Sequence, residues 1–186
     1  MISKLPKTLT VAGVEYEIHS DFRPCFNIMQ IFERNDLTEP EKLVAMAGVL
    51  YDKAPFDYIE EAIVKALWFL DGGDAKHTKK GADYGKLYSW EQDEQFILSA
   101  VNLTLGISCR GAEYLHWWDF MAALMDCKEC TFTTLIHQRK LKKQGKQQKW
   151  DKEWWAENKN IVELDKKSVL TSEEQAQLDK FNSLLG

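Results

Sequence analysis

Apolar and polar positions alternate in one short stretch of the chain and recur with helical spacing in most of the rest. Val14, Tyr16 and Ile18 alternate with Glu15 and Glu17, and Ala12-Gly13 precedes them as a tight turn. This predicts a β-hairpin over 9–18. A lone hairpin is marginal in water, so it must dock on helices or pair with another chain, and its edge is a candidate oligomerisation surface. From residue 22 the period becomes helical. Phe22, Phe26 and Met29 form one row, with Cys25, Ile28 and Phe32 beside it, in a helix over 22–34 capped by Ser20 or Asp21. Thr38-Glu-Pro-Glu41 is a capping-box pattern that opens a second helix over 39–50. Phe56, Ile59, Ile63, Leu67 and Leu70 are the expected inner face of a third over 56–70. Ser89 is the expected cap of a fourth over 90–105. Its inward positions are Phe96, Ile97, Ala100, Val101 and Thr104, and Gly106 is its stop.

The densest aromatic segment, Tyr114-Leu-His-Trp-Trp-Asp-Phe-Met-Ala-Ala-Leu-Met125, lies in a fifth helix expected over 111–125. Trp117, Phe120, Met121 and Leu124 share one face, and Leu115, Trp118, Ala122 and Met125 the next. Only His116, Asp119, Ala123 and Asp126 leave a polar or small stripe. A helix this apolar is expected to be central, with its remainder near His116 and Asp119 exposed to a partner. A sixth helix over 131–141 places Phe132, Leu135 and Ile136 on one side. The Gly-rich stretch 71–85 reads as a loop.

After Arg139 the composition turns polar. Lys140 to Lys149 is rich in Lys and Gln, with Leu141 its only apolar residue. A polar helix carrying Trp154 and Trp155 is expected over 151–164, and a last short one from Thr171. The predicted architecture is mainly α: a compact domain of about six helices with a small N-terminal β-hairpin over 1–140, then a polar helical C-terminal extension over 141–186.

At 186 residues and 45% hydrophobic content the chain has enough apolar material for a sizeable core. Its net charge of −5 does not suggest a dedicated nucleic-acid binder. No apolar leader precedes Cys25, Cys109, Cys127 and Cys130, so free thiols in a reducing cytosol are expected. No apolar run is long enough to span a membrane.

The candidate chemistry is thin. Cys127-Lys-Glu-Cys130 supplies two zinc-type ligands, and His137 and Cys109 would complete a set only by chance of folding; two half-buried thiols in a turn are the preferred reading. His116 and Asp119 are spaced to orient an imidazole, but no nucleophile motif accompanies them, and a structural pair is preferred. Asp93, Glu94, Asp119 and Asp126 read as carboxylates on solvated helix faces. Gly81-Ala-Asp-Tyr-Gly-Lys86 falls one residue short of a phosphate-binding loop and lacks the hydroxyl residue after Lys. Arg139, Lys140, Lys142, Lys143, Lys146 and Lys149, followed by Trp150, Trp154 and Trp155, have three readings: single-stranded nucleic acid, a solvated linker, or a protein interface. No catalytic residue, metal or cofactor is expected, and the chain does not read as an enzyme.

A family resemblance goes further. Glu91-Gln-Asp-Glu94, Phe96-Ile97 through Gly106-Ile107, Leu115-His-Trp-Trp-Asp-Phe120, Thr131-Phe132, Ile136 and Arg139 together resemble the bacteriophage gene-product-fifteen family of long-tailed phages. The Cys pair after the Trp helix departs from the family's usual turn. In such phages the gene lies between those for the tail tube and tape-measure proteins. The resemblance therefore implies tail morphogenesis, in its sharpest form a tail-assembly chaperone that keeps the tape-measure protein soluble in the host cytoplasm. The alternatives are a structural minor tail protein of the virion and a nucleic-acid-binding regulator. The implied partners are the tape-measure protein, the tail tube protein and further copies of the chain, with no membrane. His116, Trp117, Trp118, Asp119, Arg139, Trp154 and Trp155 are the candidate partner-binding residues.

Overall fold

In the computed structural model, which describes residues 5–73 and 84–165, the chain opens with β1 (Thr8–Val11) and β2 (Val14–Glu17), paired antiparallel with Leu9 opposite Tyr16. Ala12 and Gly13 take φ values of +48° and +79°, the left-handed pair that fits a two-residue turn to twisted strands. Leu9, Val11 and Ile18 are buried, so the hairpin gains its stability by docking on helices. The end of the second helix meets the C-terminal end of β2 on its outer side: Asp52 N–H donates to Glu17 O and His19 N–H to Leu50 O.

Helix α1 (Phe22–Glu33) starts at Asp21, whose carboxylate accepts from Arg23 N–H. Helix α2 (Glu39–Leu50) begins with the capping box, Glu41 accepting from both the amide and the hydroxyl of Thr38. A single turn of 3₁₀ helix, Phe56–Tyr58, leads into α3 (Ile59–Leu70). The inner face of α3 is the expected one only in part, with Leu70 buried and Ile59 and Ile63 packed against the core. Ala62, Ala66, Phe69 and Leu70 are buried, whereas Phe56 is 62% exposed and Leu67 also faces outward. The alanines let α2 and β1 approach closely, and Tyr51 of the α2 terminus donates its hydroxyl to Ala62 O at that seam.

Helix α4 (Glu94–Leu105) starts later than its apolar pattern suggests. The segment 89–93 is instead a turn, closed by Ser89 N–H on the Asp93 carboxylate and Gln92 N–H on Ser89 Oγ. Gly106, at φ +71°, ends the helix in the left-handed conformation as expected. Ile97, Leu98, Ala100 and Val101 face the core, while Thr104 is exposed and turns its hydroxyl back to Ala100 O.

Helix α5 covers only Trp117–Met125. Residues 111–116 are drawn out of it by remote partners. Phe22 N–H donates to Leu115 O and Trp117 N–H to Ser20 O, and the Arg23 guanidinium takes the carbonyls of Cys109, Arg110 and Ala112. Central packing holds: Phe120 stacks on Phe22 at 4.7 Å and on Trp117 at 5.6 Å, and Trp90 lies 6.0 Å from Trp117. Helix α6 (Thr131–Lys143) packs on α4. Helices α7 (Lys149–Glu157) and α8 (Lys159–Val162) return the chain to α6, where Val162 is fully buried. Among the described residues the fold is mainly α with one small hairpin. Most of the Gly-rich stretch and the helix expected from Thr171 lie outside the described residues.

Candidate protein-interaction surfaces

His116 is not on an exposed stripe. It is 1% exposed and caps α5, its Nδ1 accepting from Trp118 N–H at 3.1 Å. An accepting Nδ1 places the proton on Nε2, which donates to Pro6 O at 3.0 Å. Phe69 and Trp118 enclose the ring edge-on. The imidazole thus joins the chain before β1 to the start of α5 and makes no pair with Asp119, which lies exposed one turn on. Trp117 is fully buried, and its indole N–H donates to Leu70 O. Trp118 is half-buried, donates to Phe69 O, and packs edge-on against Trp68. Of the four α5 residues singled out from sequence, Asp119 and one side of Trp118 reach the surface.

Arg139 is likewise turned inward. Its guanidinium meets the Asp93 carboxylate through two bonds of 2.6 and 2.9 Å. The remaining donors go to the carbonyls of Val162, Ile161 and Leu87. Such a planar fork fits a carboxylate bidentately and leaves no N–H unpaired, which is what makes a buried charge tolerable. Gln92 adds a second clasp, donating to Glu163 O and accepting from Asp165 N–H. Glu33 holds the same region from α1, accepting from Ser89 Oγ and from Trp90 N–H and pairing with Lys86. Burial pushes its carboxyl pKa up, but these donors outweigh burial and hold it below the usual range.

Trp154 and Trp155 are half-buried, whereas Trp150, the exposed indole of α7, is 58% accessible. Trp155 donates to Glu163 and lies 3.8 Å beneath the Lys142 ammonium. With Lys86, Arg139 and Lys143 it borders a groove of about 730 Å³. The basic run is therefore partly consumed within the chain: Arg139 pairs with Asp93, Lys142 with Glu163, and Lys143 donates to Lys86 O.

Two surfaces carry apolar side chains that are not among the candidate partner-binding residues. At the α4–α5 corner, Leu103 and Met125 are 70% and 76% exposed. A cleft of about 310 Å³ opens there between Ala100, Leu103 and Thr104 on α4 and the 126–130 turn. Cys127 and Cys130 stand half-buried in that turn, and burial together with the neighbouring Cys130 thiol pushes the Cys127 pKa up. The second surface lies beside β1, where Val64 and Trp68 of α3 line a cleft of about 390 Å³. The signal for the first was present in part. Met125 belongs to a row that looks internal, and only the neighbouring elements decide that it is not.

Among the described residues no three or more His, Cys, Asp or Glu side chains gather as for a metal ion, and no helix is long and apolar enough to cross a membrane. No curated protein and no solved structure matches the chain. A family model does, over residues 1–164, which takes in the hairpin, the aromatic α5 and the segment that Arg139 fastens. The chain belongs to the Bacteriophage Gp15 protein family.

Proposed function

We propose that this phage protein acts in tail morphogenesis as a non-enzymatic assembly chaperone, binding the tape-measure protein in the host cytoplasm while tail tube subunits polymerise. The observation that carries the reading is the α4–α5 corner. Leu103 lines a cleft there whose rim, Asp126, Lys128 and Glu129, is charged, and the exposed Met125 immediately precedes that rim in the chain. A short cleft with an exposed Leu, a charged rim and an exposed Met next to it in the chain suits one face of an amphipathic helical client. The family's implied place among tail genes supplies the client. The side chains that sequence offers for chemistry support a non-catalytic role, since His116 caps a helix and Arg139 and Asp93 neutralise each other in the interior.

The test is co-expression with the tape-measure protein. The wild-type chain should co-purify with it and raise its soluble yield, and Leu103→Asp with Met125→Asp should abolish both while leaving the thermal midpoint nearly unchanged. Unchanged capture by the double variant would overturn the corner as the binding site. Stoichiometric recovery of the chain from purified mature virions would instead favour the structural minor tail protein, a reading that the unpaired edge of β1 also suits. A nucleic-acid role has less support, because Arg139, Lys142 and Lys143 bond within the chain.

A further inference from the structure

The hairpin's two edges differ: the α2 terminus meets the β2 edge at Glu17 O, with Glu15 turned outward beside it, whereas the β1 edge has defined ends. Ile18 N–H donates to Lys7 O at 3.0 Å, and Val11 faces Val14 across the turn. By the alternation of an antiparallel ladder, Lys7, Leu9 and Val11 turn their backbone groups toward β2. Thr8 and Thr10 turn theirs away. The same alternation points Glu17 outward on β2, where Asp52 N–H meets it. On the β1 side the flanking outward positions are also occupied. Pro6 has no N–H, and its carbonyl accepts from His116; Ala12 N–H donates to Glu61 at 3.1 Å. Between these stops, among the described residues, nothing meets the amides and carbonyls of Thr8 and Thr10.

We propose that this edge is a self-association site, at which β1 of a second copy of the chain adds antiparallel to β1. The occupant follows from the pattern of open groups. A two-fold axis through Leu9 sets Thr8 opposite Thr10 of the second copy and Thr10 opposite its Thr8. Each threonine then exchanges both backbone bonds, every open group on both edges is used, and the ladder ends where Pro6 and the capped Ala12 end it. The pairing is isologous and closes on itself, so it makes a dimer rather than a fibre. The ladder is too short to hold two chains by hydrogen bonds alone. The shelf beside the edge supplies the rest: Val64, 62% exposed, and the half-buried Trp68, with Lys65 between them in sequence, line the cleft into which the added strand would settle. Leu9 of the second copy lies opposite Leu9 and faces the same side of the widened sheet, toward α3. Natural proteins shield free edges with charge, Pro or cover, and here such devices stand at both ends of the open stretch and not within it.

Sedimentation and light scattering of the full chain across a concentration series test this directly. The mass should rise from 21.6 kDa toward twice that value. Thr10→Pro removes an outward N–H that the hairpin does not use, and should weaken association about tenfold or more, the equivalent of one or two net hydrogen bonds. Thr10→Val keeps the N–H and should still associate. Amide exchange of the unaltered chain gives a readout that does not depend on any variant folding: Thr8 and Thr10 amides should gain protection as concentration rises. A monomer at every concentration, or a dimer indifferent to Thr10→Pro, overturns the proposal. So does protection of these amides that appears only when tape-measure protein is added, because a different strand then occupies the edge.

Discussion

Arg139 and Asp93, 46 residues apart in sequence, form a bidentate ion pair whose side chains are 3% and 0% exposed. Asp93 also accepts Ser89 N–H, and Arg139 also holds the carbonyls of Leu87, Ile161 and Val162. One pair therefore joins the start of α4, the middle of α6 and the end of α8. Removing one partner strands the other charge in the interior. Arg139→Met or Asp93→Ala should each cost about 3–5 kcal/mol, read as a large fall in thermal midpoint. Limited proteolysis should at the same time show earlier cleavage between 145 and 165, because the carbonyl clamp on α8 is released. A midpoint that barely moves would place the stability of this region elsewhere.

His116→Ala removes both the α5 cap and the link to Pro6, and should destabilise by about 1–2 kcal/mol. His116→Asn supplies a good capping side chain and should recover part of that loss. Asp119→Ala, at an exposed position, should change the midpoint little. Urea denaturation of the three variants separates these outcomes, and equal effects at 116 and 119 would contradict the capping geometry.

Gly73, at φ +80°, follows α3 at a point where Trp118 and Trp68 close over the backbone. A Cβ there would come within 2.6 Å of the Trp118 ring. Gly73→Ala should therefore combine left-handed strain with displacement of a packed indole, at about 2–4 kcal/mol, and should shift tryptophan emission. At Gly72, φ +77°, a Cβ meets nothing within 4 Å. Gly72→Ala should cost only the strain, about 1 kcal/mol, with emission unchanged.

Glu33 gives the fold an acid-sensitive clasp. Its carboxyl is held below the usual range in the folded state because the donors Lys86, Ser89 and Trp90 outweigh burial. A depressed folded pKa stabilises fully above the unfolded value, and that contribution is lost as pH falls through the folded one. Glu33→Gln should thus lower stability at neutral pH by about 1–2 kcal/mol, with the gap to wild type closing below the usual glutamate range. Paired thermal melts from neutral pH down to about 3 check this; a gap that stays constant would remove Glu33 from the acid response.

What sequence by itself determined here is local. The Thr38–Glu41 capping box, the Ala12-Gly13 turn, the Gly106 stop and the helical spacing of α1, α2 and α6 each depend on residues within about one or two turns of one another. The leucine–histidine–tryptophan–tryptophan signature of α5 also marked the family, and its apolar content foretold central packing. The tertiary structure alone decided which side of an apolar helix is covered and which polar groups are paired. Helix α3 is apolar on several sides, and the close approach of α2 and β1 chose the alanine side and left Val64 and Leu67 outside. Residues 111–116 have helical spacing, yet Asp21, Phe22 and Arg23 claim their backbone groups. His116 and Arg139 look like surface chemistry because sequence spacing carries no record of Pro6 or Asp93, the remote groups that meet them. The open edge of β1 has the same origin, since a strand's outer face is free or covered only by what the rest of the chain brings beside it.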